Sequence, residues 1–226
     1  MFVFIIIVFI LILFTVHVFD FETGRVQPVG NSLTWPSEDY VHCVRARGSQ
    51  SDELLTCSEN GLVHLWDLRA SAKEFALVLE PNSNPDVARP RAGRFLRVLL
   101  PDASGTAVLC GGGPRLARWD LATRQCLAVC KGLLDADNAV LAAAMLDDEA
   151  DGDGHLLFTA GSGGVPHKWN ALTLSWLGNA PRSTLPHTLA LLPLPESRSL
   201  LACGRGAAVD LFSDMPNLEH TFSLSH

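Results

Sequence analysis

The densest group of potential metal ligands is the run Asp147-Asp148-Glu149-Ala150-Asp151-Gly152-Asp153, with five carboxylates in seven residues. Oxygen donors this close would suit a hard cation such as calcium. A calcium loop of the EF-hand kind, however, spaces its ligands over about 12 residues and closes on a bidentate glutamate. No glutamate follows in register, and His155-Leu156-Leu157 opens a strand instead, so the run is expected to be a solvated loop. Gly111-Gly112-Gly113 has the freedom of a phosphate-cradling loop but lacks the Lys-Ser/Thr pair and the following helix; it is expected to be a tight β-turn. Ser162, between Gly161 and Gly163, lacks the spacing of a nucleophile elbow. The eight histidines are scattered and form no H-E-x-x-H. The chain therefore reads as a non-enzyme, with no catalytic residue, no cofactor and no metal site.

Cysteines 43, 57, 110, 126, 130 and 203 form no C-x-x-C pair and match no zinc spacing. Several stand in apolar runs, as in Leu109-Cys110 and Ala202-Cys203, where a reduced cysteine behaves as a small hydrophobe. Buried free thiols in a reducing compartment are expected. The local basic cluster is Arg89, Arg91, Arg94 and Arg97, whose guanidinium groups pair equally well with carboxylates and phosphates. Against it stands a formal net charge of −7, which repels a phosphate backbone. The four arginines are therefore either a solvated loop entering a strand or candidates for contact with a partner, a protein ahead of RNA.

Those residues sit within a repeat. Aligned on the aromatic that ends each unit, the chain gives Phe19-Asp20, Trp66-Asp67, Trp119-Asp120, Trp169-Asn170 and Phe212-Ser213, at intervals of 47, 53, 50 and 43 residues. A WD repeat runs about 40–45 residues. Eight residues before each of the last four aromatics stands a small residue: Ser58, Gly111, Gly161, Gly204. Small side chains there would let the inner strands of a tapering propeller approach one another. Within the second unit, Tyr40–Val44 is a short apolar run, Glu53–Cys57 a second, and Glu59-Asn60-Gly61 has tight-turn chemistry. Leu62–Trp66 then alternates apolar and polar residues as a half-buried strand does, and an outer strand is expected near Phe75–Leu79. The pattern recurs at Phe95–Leu99, Thr106–Cys110 and Arg115–Trp119, at Val140–Ala144, Leu156–Ala160 and Val165–Trp169, and at Thr188–Leu192, Leu200–Cys203 and Ala208–Phe212. This predicts an all-β WD40 β-propeller with about four complete blades and, at residues 16–30, part of another. Trp66, Asp67, Trp119, Asp120, Trp169 and Phe212 are its repeat anchors. A propeller closes with about 4–8 blades, so the expectation is an incomplete, truncated ring over 16–226.

Residues 1–15 differ from the rest. Met1 to Phe14 contains only Met, Phe, Val, Ile and Leu. Its length approaches the ~18 apolar residues of a membrane-spanning candidate, without the basic start or small-residue cleavage site of a secretory signal. Those five amino acids are also the ones whose codons all carry U in second position. Three readings stay open: a translated pyrimidine-rich intron end, a membrane anchor over residues 1–19, and a buried strand.

The stretch Gly61 to Arg69 (GLVHLWDLR) is a WD signature common to thousands of proteins. More particular are Arg89-Pro90, Gly93-Arg94-Phe95, Cys110-Gly111-Gly112-Gly113-Pro114 leading to Trp119, Val209-Asp210-Leu211-Phe212 and Phe222-Ser223-Leu224-Ser225. Together they resemble the THO complex subunit 6 family, from about His17 to His226. The resemblance implies a seven-bladed propeller of which this chain matches the C-terminal portion. It also implies a non-catalytic nuclear scaffold of the THO/TREX mRNA-export assembly, bound to other THO subunits and meeting RNA only through the complex. The acidic run and the loop Pro81–Asp86 look like insertions. The Gly-His pair common before the first strand of WD repeats is absent, Ser37-Glu38-Asp39 standing nearby, so an incomplete buried hydrogen-bond network is expected. A WD-repeat adaptor of another complex, such as a ubiquitin-ligase substrate receptor, and a membrane-tethered propeller are the alternatives.

Overall fold

The alternating apolar pattern folds as it predicts, into short strands joined by tight turns. The computed structural model describes residues 5–7, 16–20, 25–29, 40–48, 52–69, 76–131, 139–146, 156–213 and 217–223. Strands β1 (Ile5–Ile7), β2 (Val16–Asp20) and β3 (Arg25–Val29) form a three-stranded antiparallel sheet in that order. Four four-stranded sheets follow, each a simple up-and-down meander. The first blade is β4 (Val41–Ala46), β5 (Glu53–Ser58), β6 (Val63–Asp67) and β7 (Leu77–Leu79). The second is β8 (Leu96–Pro101), β9 (Ala107–Gly112), β10 (Ala117–Asp120) and β11 (Cys126–Val129). The third is β12 (Val140–Leu146), β13 (Leu156–Gly161), β14 (His167–Asn170) and β15 (Trp176–Asn179). The fourth is β16 (Thr188–Leu194), β17 (Ser199–Gly204), β18 (Ala208–Ser213) and β19 (Asn217–Ser223). First strands of successive blades are neighbours, β4 beside β8, β8 beside β12 and β12 beside β16. The molecule is a β-propeller of the WD40 kind.

A propeller has no single core. Apolar residues fill three separate seams between blades, because each sheet buries both faces and alternate side chains point to opposite ones. Leu55, Cys57, Val63 and Leu65 of the first blade meet Val108, Cys110 and Trp119 of the second. Val98, Leu109 and Leu116 meet Leu157 and Trp169. Ala144, Leu146 and Phe158 meet Leu200, Ala202 and Phe212. The anchor aromatic of each blade thus fills the seam toward the blade before it. Fully burying a large apolar side chain contributes about 1.5–3 kcal/mol, and the seams are dense in them. Trp66 occupies the same place in the first blade, buried on the face that points away from the second.

Beneath the anchor tryptophans of the first and third blades lies a buried threonine on the neighbouring strand. Trp66 Nε1–H donates to Thr56 Oγ1 at 2.9 Å, and Trp169 Nε1–H to Thr159 Oγ1 at 2.9 Å. In the second blade the residue in that register is Cys110, and the buried Nε1 of Trp119 has no hydrogen-bond partner. The fourth blade replaces the pair by Phe212 and Ala202 and needs no donor satisfied. Of the three anchor tryptophans, Trp66 and Trp169 make this bond and Trp119 does not. The aspartates that follow the aromatics cap turns. Asp120 Oδ1 accepts the Thr123 N–H at 2.6 Å, Asn170 Oδ1 accepts those of Leu172 and Thr173, and Asp67 Oδ1 accepts that of Arg69.

Strand pairing corrects one alignment. Leu54, Val108, Leu157 and Leu200 face the four anchor aromatics, so the small residue four positions on is Ser58, Gly112, Gly161 and Gly204. Gly112, not Gly111, is the equivalent in the second blade, whose turn is one residue shorter. The physical reason for smallness also differs from the expected approach of inner strands. A Cβ on Gly161 or Gly204 would fall on the carbonyl of Ala139 or His187, the backbone entering the first strand of the same blade. One on Gly112 would stand 2.6 Å from the Phe95 carbonyl.

The loop Pro81–Asp86 contains a 3-10 turn at Pro81–Ser83, and a second turn spans Pro90–Ala92. The acidic run 147–153 and the positions 37–39 lie outside the described residues, as do 1–4 and 8–15. Among the described residues no helix is long and apolar enough to cross a membrane.

Candidate interaction face and central cleft

Short turns place charge at the two ends of the blades. At the end where the first strands begin, turns between second and third strands meet the loops that connect blades. Arg115 N–H bonds the Val87 carbonyl at 2.8 Å, Ser183 N–H the Gly164 carbonyl at 2.9 Å, and Arg205 N–H the His187 carbonyl at 3.0 Å. The Arg94 carbonyl presses on Gly61, whose φ of +82° and missing Cβ make the fit possible. At the opposite end, Arg47 Nε–H donates to the Gly105 carbonyl at 2.6 Å and ties the first two blades together.

The sequence cluster of four arginines is divided by this geometry. Arg89 is buried, at 8% exposure, and is not on the surface with the others. Arg91 and Arg94 are exposed on the loop between the first and second blades, and Arg97 is exposed on β8. Sequence spacing missed Arg182 and Arg205, exposed at the same end of the fourth blade. None of these five exposed arginines pairs with a carboxylate among the described residues. At the other end three arginines are paired, Arg47 with Glu53 at 2.8 Å, Arg69 with Asp67 at 2.9 Å and Arg118 with Asp102 at 3.8 Å, while Arg124 stands exposed in the turn between β10 and β11. Burial raises the Asp102 carboxyl, but N–H and O–H donors from Ala107, Ser104 and Thr106 outweigh it and hold the group below the usual carboxylate range. Thr123 does the same for Asp120.

Between the first strands lies a cleft of about 220 Å³. Each first strand carries a bulge at its second residue, so His42, Arg97, Leu141 and Leu189 lack a cross-strand partner. All four line the cleft. A bulge re-aims the side chain it frees, and four at one register form a ring. Arg45 joins His42 and Arg97 on one side, while Ala143 and Leu191 join the two leucines on the other. His42 Nε2 lies 2.5 Å from Glu59 Oε2, and its ring meets Phe95 edge-on.

Two further features bear on chemistry. Asp210, fully buried, accepts the Ser183 hydroxyl at 2.6 Å and the Thr184 N–H and hydroxyl at 2.7 Å each. It pins the loop that enters the fourth blade. Cys43 faces Cys57 across β4 and β5 and lines the cleft. The Cys57 thiol lowers that of Cys43, whereas burial pushes Cys57 up. Burial pushes Cys130 up to about 12, an inert thiol. All six cysteines are free, four of them buried. Among the described residues no group of three or more His, Cys, Asp or Glu gathers to hold a metal.

The described residues form a four-bladed WD-type array with exposed arginines at the end where its first strands begin. The chain resembles THO complex subunit 6. It is 30% identical over 213 residues to the Homo sapiens protein of that name, which covers 92% of this chain and 56% of the human protein. The Rattus norvegicus homologue gives the same identity and coverage. The Danio rerio homologue is 33% identical over 106 residues, 47% of this chain. The match to the mammalian proteins falls on their C-terminal portion, and this chain spans a little over half their length. No protein-family model matches the chain.

Proposed function

We propose that the chain is a non-catalytic scaffold subunit of a nuclear THO-like complex acting in mRNA processing and export. It binds other subunits through its loops and blade edges and meets RNA through them. The observation that carries this reading is the 30% identity to THO complex subunit 6 across 92% of the chain. Rigid sheets hold variable loops in fixed positions, and loops so held provide recognition surfaces. Exposed Arg91, Arg94 and Arg97 are the partner-contacting set.

The test is affinity purification of the tagged full chain from nuclear extract. Recovery of the other THO subunits, with the tag located in the nucleus, is the expected result. Recovery of a cullin-type ubiquitin ligase, or membrane retention after carbonate extraction, would overturn it in favour of an adaptor or a tethered propeller.

A further inference from the structure

We propose that the central cleft docks an extended acidic segment of a partner protein. Its carboxylates meet Arg97 and Arg45, and an apolar side chain rests on Leu141 and Leu189. The proposal deepens the scaffold reading and rests on it for the existence of a partner. Four bulges at one register aim one residue each into the cleft, and the four split into a polar pair, His42 and Arg97, and an apolar pair, Leu141 and Leu189. No carboxylate is among the residues that line it. His42 Nε2 is already engaged by Glu59 Oε2, so the two arginines are the anchors left for a ligand. In a chain of net charge −7, two guanidinium groups in a concavity make a local positive field that concentrates anions.

The occupant follows from the two halves together. Leu141, Ala143, Leu189 and Leu191 offer nothing to a polyphosphate but bury an apolar side chain well. Single-stranded nucleic acid is held by aromatic rings on which bases stack, and the lining contains no Phe, Tyr or Trp. The volume of about 220 Å³ falls below the roughly 300–1,000 Å³ of a drug-sized pocket, which suits one or two side chains of an extended strand. Arg91, Arg94, Arg182 and Arg205, unpaired at the same end, lie where the remainder of such a segment would run.

The experiment uses the full chain and a fluorescein-labelled peptide of alternating Glu and Leu, read by anisotropy at low salt. A Lys/Leu peptide and an oligo-uridine RNA serve as comparison probes. Variants are Arg97→Ala, Arg45→Ala and Leu189→Asp, each checked for an unchanged thermal melt. The expected result is saturable binding of the Glu/Leu peptide, weakened at least tenfold by each variant and more than tenfold by raised salt, with no binding of the Lys/Leu peptide. Absence of saturable binding, or binding indifferent to the three variants, overturns the proposal. So does RNA binding lost with the arginines but kept in Leu189→Asp. Peptide binding without recovered THO subunits would sink only the assembly reading; recovered subunits without peptide binding would sink only the cleft.

Discussion

The second and third blades carry the same tryptophan at the same place in their third strands, and they differ in what stands beneath it. Trp169 donates to Thr159 at 2.9 Å; Trp119, 5% exposed, has Cys110 in that register and no partner for its N–H. Both rings fill a seam toward the preceding blade, and both blades have the same strand order. The difference separates two roles that a WD repeat combines. Area burial by the ring holds the seam, at several kcal/mol. The hydrogen bond adds about 0.5–1.5 kcal/mol net and can be lost without loss of the blade.

If ring burial dominates, Trp169→Ala and Trp119→Ala should cost nearly the same, about 3–5 kcal/mol each, in urea unfolding followed by circular dichroism. A gap above about 2 kcal/mol between them would show that the hydrogen bond carries more than its usual share. The first blade extends the comparison through His64, which packs its ring 5.8 Å from that of Trp66. Burial pushes its imidazole down to about 4 from an ordinary 6.5. The folded state therefore keeps the neutral form while the unfolded chain takes up a proton below pH 6.5. Stability is complete above pH 6.5 and is lost as pH falls toward 4, by about 3 kcal/mol for a shift of this size. His64→Leu should flatten that slope between pH 7 and 4.5; an unchanged slope would place the acid sensitivity elsewhere. His167, at the corresponding position of the third blade, instead meets Asn179 Oδ1 at 2.8 Å on the outer strand.

Much of this was legible in the residues. The alternation at Val140–Leu146 and the Glu59-Asn60-Gly61 turn mark strands and their reversals directly, and the three inner strands of each blade fall within a few residues of where the pattern puts them. The outer strands β11 and β15 were harder to see, because Trp176 and Leu177 are exposed and Cys126–Val129 alternates weakly. The basic face was only half visible. Arg91, Arg94 and Arg97 are close in sequence, but Arg182 and Arg205 reach the same end only through the meander. The cleft was hidden for a similar reason: His42, Arg97, Leu141 and Leu189 share no chemistry, and only the common bulge brings them together. Gly112 takes the place of Gly161 and Gly204 because the second blade's turn before Trp119 is one residue shorter than its counterparts.

The same strand register makes the tryptophan comparison testable from both sides. Thr159→Val keeps the shape and removes the acceptor, leaving the Trp169 N–H buried and unsatisfied, at a cost of about 1–3 kcal/mol. Cys110→Val in the second blade removes no such bond and should cost less than 1 kcal/mol, since a thiol so buried is already a small hydrophobe. Equal losses would mean that volume, and not the hydrogen bond, distinguishes the two sites. The smallest effect is the gain expected from Cys110→Thr. A hydroxyl in the Thr159 position of the second blade gives Trp119 Nε1–H its acceptor, and the bond should add about 1 kcal/mol, raising the melting temperature by about 2–4 °C for a chain of this size. A fall of similar size would mean that the hydroxyl is buried without reaching the indole. The Trp119 ring would then be seated differently from Trp169, and the shorter second-blade turn at Gly112-Gly113 would be the place to look for the cause.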